Sequence, residues 1–203
     1  MLERITPRER SDLLIAWLAI SIAFSLIFIR GGVTLETFLV FLVVSLLTVG
    51  IGFILHEMAH KFTAMGYGYW AEFRKDNLML LIAVVMAALV GVVFAAPGAT
   101  VIYGASITRE QNGKISAAGP AVNLVLCGVF AILALVAGMI SLPMLALVGT
   151  VGLQVNAMIA AFNMLPVSVL DGRKVLAWNP AVFVVLIVAA FGILLASYYI
   201  PII

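Results

Sequence analysis

The chain's two histidines fall four residues apart with an acid after the first, His56-Glu57-Met58-Ala59-His60, inside an apolar run from about Thr34 to Met65. On an α-helix, positions i and i+4 share a face one turn apart, so both imidazoles can reach one divalent ion. Glu57 then stands beside them, placed to take a proton from a metal-activated water. Zinc suits such a set at neutral pH, because it lowers the pKa of its water toward ~7 and polarises a carbonyl. Imidazole and carboxylate also suit iron, cobalt or nickel. The plain alternative is two buried histidines satisfied by neighbouring helices. A central charge in a membrane segment costs about 2.5–3.5 kcal/mol, which favours a functional reading. Glu57 also separates hydrolysis from metal carriage, since a carrier needs ligands but no poised base.

A catalytic zinc site takes three protein ligands and keeps a fourth position open. Of the aspartates, Asp12 precedes the first apolar segment and Asp76 lies in the polar stretch Glu72–Asn77. Asp171 follows the fifth apolar segment in Asn163-Met164-Leu165-Pro166-Val167-Ser168-Val169-Leu170-Asp171-Gly172. Pro166 predicts a broken helix and Gly172 a tight turn, which would present Asp171 from irregular backbone. At membrane depth such backbone must be buried in protein or line a wet cavity. The plain reading of Asp171 is a solvated loop residue beside Arg173 and Lys174.

His56-Glu57-x-x-His60, Gly119-Pro120-x-x-Asn123 and Asn163-x-x-Pro166-x-x-x-Leu170-Asp171-Gly172 occur in that order, each at the edge of an apolar segment. This arrangement resembles the site-2 protease family of intramembrane zinc metalloproteases, over roughly residues 47–174. The resemblance implies one zinc ion per chain on His56, His60 and Asp171, with Glu57 as the base. It also implies that Asn123 and Asn163 hold substrate or line the site. Read without the family, both asparagines are better taken as hydrogen bonds between helices. The implied partner is the membrane-spanning segment of a protein substrate, and the oligomeric state stays open. The expectation departs from that family in two ways: no peptide-binding or nucleotide-sensing domain is expected beside the membrane domain, and one span, not two or more, is expected after Asp171.

The elements that must position these residues are apolar. The chain is 65% hydrophobic and 10% charged, whereas a soluble domain typically carries about 25% charged residues. Segments at Leu13–Ile29, Thr37–Leu55, Leu78–Ala96, Ala117–Ile140, Leu142–Leu165 and Ala181–Ile200 each approach the ~20 residues that span a hydrocarbon core. The expectation is a single all-α polytopic membrane domain over 1–203 with about six membrane segments and the lipid bilayer as its solvent. Cys127 has no partner, and its reading is simple packing. The net charge of +2 is scattered among loops instead of forming one face, which argues against nucleic acid.

Charge placement sets the topology. If His56 and Asp171 share a metal, one full crossing by Leu78–Ala96 would leave them at opposite faces. Leu78–Ile107 is therefore expected to enter and return, as a re-entrant hairpin or as a helix followed by an extended stretch near Thr100–Ile107. Ala95-Ala96-Pro97-Gly98 supplies a turn signal. With that return, ten of the eleven Lys and Arg residues fall on one side, and only Arg30 opposes them. The positive-inside rule then predicts a multi-pass protein of a prokaryotic plasma membrane, with a cytosolic N-terminus, an outside C-terminus and the site toward the cytosol.

Overall fold

The computed structural model describes residues 4–28, 34–91, 98–104 and 106–199. Its elements are α1 (Pro7–Phe28), α2 (Leu35–Ser45), a π-helical turn (Leu46–Gly50), α3 (Ile51–Gly66), β1 (Trp70–Lys75), α4 (Asn77–Leu89), β2 (Gly98–Tyr103), α5 (Arg109–Met139), α6 (Pro143–Asn163), α7 (Asp171–Trp178) and α8 (Pro180–Ser197). Local chemistry marks most starts. Thr34 caps α2, Asp76 accepts from Leu78 N and Met79 N, and Thr108 with Gln111 forms a capping box on α5. Pro143 opens α6, and Asn179-Pro180 opens α8.

Among the described residues, five helical stretches are long and apolar enough to cross a membrane: α1, the continuous Leu35–Gly66 rod, α5, α6 and α8. They account for five of the six expected segments. The remaining one is different. α4 has 13 residues, about 20 Å of helix, which is short of a ~30 Å core. It leaves from the end of β1, and the chain comes back as β2, which pairs antiparallel with β1 in the register Phe73↔Thr100. The extended stretch thus begins at Gly98, two residues before the expected Thr100, and stops at Tyr103. The turn signal at Ala95–Pro97 lies outside the described residues, as does Arg30.

Side-chain pairs fix how the helices run. His60 meets Ile115 and His56 meets Asn123, so α3 and α5 are antiparallel. Asn123 meets Asn156, and Cys127 Sγ lies 3.6 Å from Leu153 O, so α5 and α6 are antiparallel too. Cys127 is buried in a small cluster with Phe130, Leu153 and Ala157, as packing would have it. The larger apolar core joins α1 to the Leu35–Gly66 rod through Leu13, Ala16, Ile20, Phe24, Val49 and Phe53.

Two polar contacts tie the strands to this core. Lys61, expected to mark an aqueous face, is fully buried and pairs with the equally buried Glu9 of α1. The other Glu9 oxygen accepts from Phe73 N at 2.9 Å, which docks β1 on α1 and α3. Arg74 bridges Asp12, at 3.6 Å, and Glu72. The polar stretch Glu72–Asn77 is therefore mostly strand: its charges pair with each other and with α1, while Ala71 and Phe73 turn inward.

Candidate metal centre

His56, Glu57 and His60 project from the middle of α3, where all three are buried. Asp171 comes to them from α7. It does not stand on irregular backbone as expected, but is the first residue of that helix, with Leu170 as its cap. A carboxylate in a first turn also meets the positive end of the helix dipole. Gly172 does not make a turn either. It lies in the helix, and its missing side chain lets α7 sit directly against the Met164 carbonyl at the end of α6.

The ligand candidates converge. His56 Nε2 and His60 Nε2 are 3.0 Å apart, and Asp171 Oδ2 lies 3.4 Å from the first and 3.1 Å from the second. A tetrahedral zinc with bonds of 2.0–2.1 Å has ligand–ligand edges of ~3.3 Å. Hydrogen bonding fixes the histidine tautomers. His60 Nδ1 lies 2.8 Å from Ile115 O, a pure acceptor, so that nitrogen carries the proton. The amide nitrogen of Asn123 donates to Gly52 O and to Asn156 Oδ1, which leaves its oxygen, 2.6 Å away, for His56 Nδ1–H. Asn156 in turn donates to Gly152 O at 2.8 Å. Both Nε2 lone pairs and a carboxylate oxygen therefore face one point, an arrangement satisfied by a cation shared among the three. Among the described residues, these three make the cluster with metal-ligand atoms within 4.8 Å of one another.

The Gly119-Pro120-x-x-Asn123 motif has a physical reading here. A Cβ at Gly119 would stand 2.5 Å from His60 Nε2 and 2.6 Å from His56 Nε2, so only glycine lets α5 pass the imidazoles. Pro120 lacks an N–H and leaves the Ser116 carbonyl without its helical donor. Asn123, expected to hold substrate or line the site, is fully buried behind His56, with its amide taken up by protein groups. Asn163 does line the cavity, and its amide nitrogen donates back to Ile159 O at 3.0 Å.

That cavity, about 210 Å³, is bounded by the three ligand candidates and Glu57 on one side and by Gly98, Thr100 and Ile102 of β2 on another. Lys174 lies at its margin, 3.7 Å from Asp171 Oδ1. Thr100 Oγ1 is 2.9 Å from Glu57 Oε2 and 3.1 Å from Glu57 O. Sequence reasoning missed Thr100 and Asn156. A threonine in a short strand and an asparagine in an apolar helix carry no signal of their own, although Asn156 falls 33 residues after Asn123 on the antiparallel neighbour.

Fold and site together define a polytopic helical membrane protein with a buried His–His–Asp cluster and an acid beside it. The chain is 41% identical over 192 residues, 95% of its own length and 95% of the relative's, to a protein of Methanocaldococcus jannaschii named "Putative zinc metalloprotease MJ0611". It belongs to the same family as that archaeal protein. No family model matches the chain, and no solved structure matches it significantly.

Proposed function

We propose that this chain is a zinc metalloendopeptidase of the site-2 protease type, hydrolysing a peptide bond in or near the membrane-spanning segment of a protein substrate. The observation that carries the reading is one cavity, set among apolar helices, that gathers His56, His60, Asp171 and Glu57. The name of the archaeal relative supports a zinc metalloprotease as the coarser class.

His56, His60 and Asp171 would hold the zinc. Bound there, it supplies Lewis-acid polarisation of the scissile carbonyl and a water that ionises near neutral pH. Glu57 takes the proton from the attacking water and delivers it to the leaving amine nitrogen, so one carboxylate serves as base and then as acid. The surrounding apolar helices limit water at the site and strengthen these polar interactions. A helical peptide bond is shielded from attack, so the substrate must be extended where it reacts. β1 occupies one edge of β2, and the other edge is suited to pair with an unwound substrate segment beside the cavity. The returning β1–α4–β2 excursion is read as a re-entrant element. The site then faces the cytosolic side of a prokaryotic plasma membrane, with the N-terminus inside and the C-terminus outside.

The test is cleavage of a single-span substrate by the purified, reconstituted protein, with zinc measured in each variant. Glu57→Gln is expected to keep zinc and lose activity by at least about 10²-fold, the usual scale for losing a general base. His56→Ala and Asp171→Ala are expected to lose both zinc and activity. Wild-type turnover by Glu57→Gln would sink the mechanism, and full zinc content in Asp171→Ala would remove the third ligand.

A further inference from the structure

We propose that Thr100 is a positioning residue for Glu57, holding the carboxylate toward the reacting water from the strand across the cleft. The proposal rests on the hydrolytic reading above. The side chains of β2 alternate, so Thr100 and Ile102 turn toward the cavity while Val101 and Tyr103 turn outward and are exposed. The Thr100 hydroxyl reaches both acceptors of one residue, the Glu57 carboxylate at 2.9 Å and the Glu57 main-chain carbonyl at 3.1 Å. A glutamate side chain turns about three bonds, and the bonds that fix His56 and His60 do nothing to restrain it. One β-branched hydroxyl with a stiff χ1 supplies that restraint, and it engages Oε2.

The hydroxyl is itself held in place. Thr100 pairs with Phe73 in the β ladder, Phe73 N donates to Glu9, and Glu9 pairs with Lys61, one turn beyond Glu57 on α3. The frame therefore begins and ends on the helix that carries the base. A substrate strand added to β2 would bear directly on Thr100, so docking and base alignment share one element.

The test uses the purified full chain with zinc and a single-span substrate, comparing Thr100→Val, which keeps the shape without the hydroxyl, with Thr100→Ser, which keeps the hydroxyl. Thr100→Val is expected to lower kcat by about 10–100-fold, the scale of a small misplacement of a reacting group, with zinc content and thermal midpoint unchanged. KM should stay within about twofold, and Thr100→Ser should recover most of kcat. In a Glu57→Gln background, adding Thr100→Val should neither reduce the residual rate further nor change the measured affinity for the uncleaved substrate. Wild-type kcat in Thr100→Val overturns the proposal. So does a fall in substrate affinity in the double variant, which would make Thr100 a docking residue, or a Thr100→Ser as slow as Thr100→Val. A fully active Glu57→Gln removes the hydrolytic reading and this proposal with it. An inactive Glu57→Gln beside an unimpaired Thr100→Val removes only this one.

Discussion

Asn156 neither lines the cavity nor hydrogen-bonds to either histidine, yet together with Gly52 O it fixes how His56 presents itself. By donating to Gly152 O it turns its own oxygen toward Asn123, whose oxygen is then left for His56 Nδ1–H, so His56 offers Nε2 as an unprotonated ligand. Outer partners of this kind typically change metal affinity by about 10–100-fold. Asn156→Leu is accordingly expected to weaken zinc binding by that factor with the helices intact, read by competition with a chromogenic chelator and by circular dichroism. His60 takes its tautomer from a backbone carbonyl, so no comparable side-chain substitution exists for it. Retention of wild-type zinc affinity in Asn156→Leu would show that the relay packs helices and does no more.

At the level of elements, the junction of α1, α3 and β1 depends on a charge pair with both members fully buried. Breaking such a pair from one side leaves an uncompensated charge and costs about 3–5 kcal/mol, whereas replacing both members with apolar residues of similar size is often neutral. Glu9→Ala should therefore lower the thermal midpoint markedly, and Glu9→Met with Lys61→Met should recover much of it; equal midpoints for the two variants would refute the assignment. Neither partner's role was legible in the sequence, where Lys61 reads as one of the basic residues that set the topology and Glu9 carries no signal of its own. The same limit hid β1, whose partner strand lies more than twenty residues away across a helix. What could be read was local. The spacing of His56 and His60 is fixed by one helix turn, and the apolar runs predicted where the long helices lie, closely for α6 and α8, while the polar first turns of α1 and α5 and the last turns of α3 fell outside the expected segments. Asp171 needed the order of motifs along the chain, and its helical setting could not be foreseen because Pro166 and Gly172 are the residues of a turn.

Across the whole molecule, the contacts bring the start of α1, the end of α3, both strands, the start of α5 and all of α7 to one end of the bundle. The α5–α6 connection at Ser141 lies at the other end. With Cys127 replaced by Ala, single cysteines at Lys75, Arg109 and Arg173 should react with a membrane-impermeant thiol reagent from one side of a sealed vesicle, and one at Ser141 only from the other. Lys75 and Arg173 reacting from opposite sides would rule out the returning path. The Leu35–Gly66 rod passes through this body with a single irregularity, the π turn at Leu46–Gly50, where Trp17 Nε1 donates to Leu46 O at 3.0 Å. One residue more than an α turn shifts the angular phase of everything downstream by about 100°. The two halves of the rod are therefore offset in azimuth by one fixed step: the first sets Val44 against α1, while the second aims two imidazoles at α5, so a single helix meets two neighbours in directions that an unbroken α-helix would not serve.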